Sequence, residues 1–180
     1  MSNALNLTSL AFSPSLVHKR NVSANMNDSN STGARGIMFT ITAKQNIVIR
    51  GLDILARRKN AVKVSIYTRS GNYSSITYPV DGWQLIFQTQ FQSQLFSNNY
   101  HLKLEDNQVK VSIRAGQTQS FYIFNSNGLK FKTGINEGRS YVEDDAIVVN
   151  EGRVTKSFFG NTTVGLGQFG GVVRYYIDRW

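Results

Sequence analysis

At 180 residues, with 41% hydrophobic and 12% aromatic side chains, the chain can bury a core as one domain plus an extension and is too apolar for wholesale disorder. It has no cysteine, which excludes disulfide staples, thiolate metal sites and a thiol nucleophile. The net charge of +9 is lopsided, because residues 1–70 hold ten Lys/Arg against two acids whereas residues 71–180 hold ten against nine. Residues 1–70 therefore carry a basic face that can meet nucleic acid or an acidic protein surface, with a solvated basic edge as the plain reading.

In chain order, residues 1–35 come first as an N-terminal arm and linker, rich in Ser, Asn and Thr. Leu5, Leu7, Leu10, Phe12, Leu16 and Val17 make this arm sticky enough to lie along a neighbouring subunit. It does not read as a secretory signal, since polar residues interrupt the apolar ones and His18-Lys19-Arg20 follow them. No apolar run approaches the roughly 20 residues that span a bilayer, so no membrane partner is expected.

From Gly36 the pattern changes to short apolar runs and alternation, which predicts an all-β domain over residues 36–180. Strands are expected near 37–42, 46–55 (with a break at Gly51), 61–68, 74–78, 83–91, 100–104, 108–113, 119–124, 129–132, 146–149, 154–158 and 171–177. The clearest alternation sets Val62, Val64 and Ile66 against Lys63, Ser65 and Tyr67. Turns are expected at Ser70-Gly71-Asn72, Ala115-Gly116, Asn127-Gly128, Glu137-Gly138 and Glu151-Gly152, where Gly supplies positive φ. An antiparallel two-sheet sandwich with jelly-roll connections accommodates this pattern.

Three stretches carry a family resemblance: Gly36-Ile-Met-Phe-Thr-Ile-Thr through Arg50-Gly-Leu-Asp-Ile, Val64-Ser-Ile-Tyr-Thr-Arg-Ser-Gly-Asn-Tyr, and Trp83-Gln-Leu-Ile. The later landmarks Val111-Ser-Ile-Arg-Ala-Gly-Gln, Gly128-Leu-Lys-Phe, Gly138-Arg-Ser-Tyr and Phe169-Gly-Gly belong to the same set. Over residues 36–180 the chain resembles a β-sandwich domain that recurs in surface and extracellular proteins of algae, diatoms and bacteria. The resemblance implies a non-enzymatic module and no catalytic residues.

Chemistry-bearing residues are sparse. The two histidines are His18 in the arm and His101, which alternation places beside Lys103 on an exposed strand face, and neither has nucleophile-elbow, zinc or phosphate-loop spacing around it. No catalytic residue, metal ligand or cofactor is therefore assigned. Glu143-Asp144-Asp145, with Glu137 and Glu151 nearby, is the one candidate for calcium, and otherwise reads as an acidic loop that pairs with a neighbour. The basic loop Arg57-Arg58-Lys59 is its expected partner on an adjacent copy, with nucleic acid as the competitor. Tyr73 and Tyr78 flank a turn where they could stack on sugar rings. Six Asn-X-Ser/Thr sequons read as accidents of composition.

Together these features lead to the expectation of a self-assembling, non-enzymatic subunit. It would be a single jelly-roll capsid or vertex protein that contacts copies of itself and other coat proteins in a virion assembled in the host cytoplasm. The alternative is a cell-surface or extracellular module for adhesion or carbohydrate binding.

Overall fold

The computed structural model describes residues 19–23, 34–57, 62–73, 82–91, 94–96, 99–104, 106, 108–160 and 163–178. Among them there is no helix, and the strands in order are β1 (Lys19–Ser23), β2 (Gly36–Ala43), β3 (Ile47–Ala56), β4 (Val62–Ser70), β5 (Gln84–Phe91), β6 (Gln94–Phe96), β7 (Asn99–Leu102), β8 (Val111–Ile113), β9 (Thr118–Asn125), β10 (Phe131–Thr133), β11 (Ser140–Glu143), β12 (Ile147–Thr155), β13 (Thr163–Phe169) and β14 (Gly171–Ile177).

Two antiparallel sheets face each other. The first runs β1-β14-β3-β7-β6 with β8 also on β3, and the second runs β10-β13-β12-β2-β9-β4-β5 with β11 also on β12. The pairings β1·β14, β2·β9, β3·β7 and β4·β5 match first strand with last and so on inward. That nesting is a long hairpin rolled up on itself, and the contacts β14·β3 and β9·β4 close the roll. The expected jelly-roll sandwich is therefore present, with β10–β13 inserted between the seventh and eighth strands of the roll and widening the second sheet.

The core lies between the sheets and follows strand alternation. Val22, Ile47, Ile49, Leu52, Ile54 and Val173 bury from one side, and Ile37, Phe39, Ile41, Val64, Ile66 and Phe121 from the other. Phe39 stacks on Phe169 with centroids 4.6 Å apart and on Phe121 at 5.7 Å. Burying each such side chain contributes roughly 1.5–3 kcal/mol. Val64 and Ile66 point inward and Lys63 outward, as the alternation predicts.

The structure departs from the sequence reading in several places. Lys19–Ser23, read as arm, is an edge strand whose Val22 is buried, and Ala34 is buried too. Glu151-Gly152 is not a turn, because β12 runs straight through it. Asn150 opposes Thr40 and Arg153 opposes Met38, so Glu151 and Gly152 together face Phe39 as a bulge. A Cβ on Gly152 would lie 1.7 Å from the Met38 carbonyl oxygen, so this close approach needs glycine. Gly51 likewise does not break β3: the register shift beside it leaves Arg50 as the extra residue of a bulge. The expected strand at 154–158 ends at Thr155, and that expected at 74–78 lies outside the described residues. The turn glycines Gly71, Gly116, Gly128 and Gly138 do take left-handed φ, between 77° and 99°.

Candidate functional site

The outward side of the β1-β14-β3-β7 sheet gathers charge. Alternation turns Val173 and Tyr175 of β14 into the core and Arg174 out, while the Arg50 bulge lets β3 present Arg50 and Asp53 on the same side. With Lys19 from β1, and Lys103 and Asp106 after β7, these residues line an open groove of about 370 Å³. Arg20 also borders it, so five bases surround two acids.

Arg174 forms the floor of the groove. Its Nη2 lies 3.1 Å from Asp53 Oδ1, and Nη1 lies 3.5 Å from Asp106 Oδ1. A Cβ on Gly51 would come within 2.7 Å of Arg174 Nη2 and 2.9 Å of Nε, so the guanidinium lies against bare backbone that only glycine leaves open. At the rim, Lys19 Nζ donates to Asp106 Oδ2 at 3.2 Å. That hydrogen bond, with the charges of Lys19, Arg174 and Arg50, holds the Asp106 carboxyl below the usual carboxylate range. The Arg50 guanidinium lies 5.3 Å from the ring centre of Tyr176.

A second charged cluster ties the sandwich edge together around Glu143, Asp144 and Asp145. Lys44 Nζ donates to Glu143 at 2.7 Å, and Arg20 pairs with Asp145. Asp144 accepts from the amides of Ala146 and Ile147 at 2.8 and 2.9 Å, and from the Tyr175 hydroxyl. Burial pushes the Asp144 carboxyl up, yet these hydrogen bonds and Arg20 outweigh it and hold the group low. Burial and the neighbouring carboxylate both push the Tyr175 phenol above its ordinary value. The predicted acidic partner loop thus has basic and amide partners within its own chain.

The candidate calcium ligands do not converge. Glu137 pairs with Arg153 at 2.6 Å, and buried Glu151 accepts from the amides of Ile135 and Asn136 and from Gln168 Nε2. Among the described residues no group of three or more His, Asp or Glu is placed to hold a metal ion.

Of the basic loop, Arg57 is exposed and its amide donates to the Gly128 carbonyl at 3.1 Å, whereas Arg58 and Lys59 lie outside the described residues. So do His18 and all six apolar arm residues from Leu5 to Val17. The His101 backbone is in β7 opposite Leu55, and Lys103 is exposed.

Tyr73 corrects the sugar-stacking expectation. It is buried at 4% exposure in a small aromatic core on the outer face of the second sheet, with Met38, Tyr122 and Phe159, and Tyr78 lies outside the described residues. Burial pushes the Tyr73 phenol above its ordinary value. Phe159 adopts φ 43°, a left-handed conformation, and its amide donates to the Tyr122 hydroxyl at 3.0 Å. Neighbouring Phe158 is left 45% exposed over Tyr67 and Phe124.

Spacing alone did not reveal the Arg174 floor, although the alternation of Gly171–Ile177 carries the signal that Arg174 faces away from the core. No family model matches the chain, and no curated protein matches it.

Proposed function

We propose that the chain is a self-assembling structural subunit, a single jelly-roll coat or vertex protein of a virus particle, acting without catalysis alongside copies of itself and other coat proteins. The observation that carries this reading is the nested strand pairing of the roll. Its link to coat proteins is an analogy at the level of fold. Two surface features support it. β1 lies at the edge of the first sheet, so its backbone edge is open to pairing with a neighbouring subunit. Leu85 and Phe158, 46% and 45% exposed on either side of Tyr67, form an apolar patch suited to a subunit contact.

Light scattering on the full chain across protein concentration and salt tests the proposal. A discrete high-mass species in equilibrium with small oligomers is the expected result. A monomer at every concentration and salt would contradict it.

A further inference from the structure

The two acids of the Arg174 groove have different surroundings. The Asp53 side chain is 15% exposed beside an Arg174 that is 13% exposed, so this pair is fixed in the groove floor. The Asp106 side chain is 39% exposed on the loop after β7 and meets Lys19 and Arg174 from the open side. Buried Nε and Nη2 of Arg174 have no aligned hydrogen-bond acceptor among the described residues, although Nη2 is at ion-pair distance from Asp53. Nε and Nη2 are spent on the floor, against Gly51 and Asp53, so Nη1, 3.5 Å from Asp106 Oδ1, is the donor that an incoming oxyanion can take over from Asp106.

We infer that this groove binds the phosphates of single-stranded nucleic acid, and that Asp106 fills a phosphate position in the free protein and is displaced when the backbone enters. Lys19, Arg50 and Lys103 extend the basic lining beyond the reach of one phosphate, which favours a chain of phosphates over a lone ion. A lipid surface would meet Lys19 and Lys103 at the rim but could not follow the groove down to Arg174. The inference concerns one chain and does not depend on assembly.

The test is fluorescence anisotropy of labelled oligothymidylate with the full chain over a salt series, using variants whose folding is checked by circular dichroism. Asp106→Asn should tighten binding about fivefold, the effect of removing one like charge at contact distance in water. The pair Lys19→Ala and Lys103→Ala should weaken binding and lower the slope of log K against log salt by about 1.4, two contacts to a single strand. The pair Lys132→Ala and Lys156→Ala removes the same charge elsewhere and should change little. The inference is overturned if Asp106→Asn binds no tighter, or if the remote pair loses as much as the groove pair. Binding to anionic phospholipid vesicles without binding to oligothymidylate would equally overturn the nucleic-acid assignment.

Discussion

Glu151 gives the sharpest stability prediction. It is 2% exposed, and its carboxylate accepts three hydrogen bonds: from the Ile135 amide at 2.5 Å, the Asn136 amide at 2.9 Å and Gln168 Nε2 at 2.8 Å. It thereby fastens the loop between β10 and β11 onto the β12 bulge. Replacing it with Ala strands three donors. Hydrogen bonds to a charged acceptor contribute about 1.5–3 kcal/mol each, and part of that loss is recovered where water reaches the loop. A destabilisation of about 3–5 kcal/mol is expected, a large share of a typical stability of about 5–15 kcal/mol. Glu151→Gln keeps one acceptor oxygen and should cost less.

The pH dependence has a definite sign. Burial alone would raise the Glu151 carboxyl, but the bonds from Gln168, Ile135 and Asn136 outweigh it and leave the folded-state value below 4.5. The contribution of a depressed carboxylate is complete above its unfolded value and is lost as pH falls through its folded value. The wild-type protein should therefore weaken below about pH 4.5, and Glu151→Gln should flatten that acid limb. Urea unfolding followed by tryptophan fluorescence at pH 7 and at successively lower pH measures both effects. An unchanged midpoint for Glu151→Ala at pH 7 would refute the reasoning.

Other perturbations follow from the packing. Ile66→Asp places an unpaired charge at 0% exposure between Phe-rich sheets and should abolish cooperative unfolding by calorimetry, whereas Lys63→Ala should melt as the wild type does. Gly152→Ala drives a Cβ into the Met38 carbonyl and should lower the melting temperature far more than Gly116→Ala, whose added Cβ meets nothing within 4 Å and whose cost is only its φ of 79°. Deleting residues 1–17 should leave the melting temperature unchanged, but deleting 1–33 should lower it because β1 and buried Val22 go with it.

How much of this was legible depends on how local each cause is. Val64 and Ile66 declare their face by alternation with Lys63, and Phe121–Ile123 is a continuous apolar run buried on both faces, so the sandwich could be read directly. Strand β1 could not, because Lys19–Ser23 has one apolar residue and becomes a strand only through its pairing with β14. Glu151-Gly152 mimics turn chemistry, yet its glycine answers to the Met38 carbonyl on β2, far away in sequence. Glycines in Thr163–Phe169 hid β13 in the same way. The Arg174 groove depends on three strands and a bulge, so spacing along the chain could not expose it. Its Lys19, Arg20 and Arg50 nevertheless belong to the basic excess of residues 1–70.

Assembly of this jelly roll can be seen by negative-stain electron microscopy of the purified full chain, beside a variant lacking residues 1–17. Closed particles of uniform diameter or symmetric rings are expected for the full chain, and fewer or smaller ones for the variant. Dispersed single molecules for both, at concentrations where the sandwich is folded, would contradict assembly.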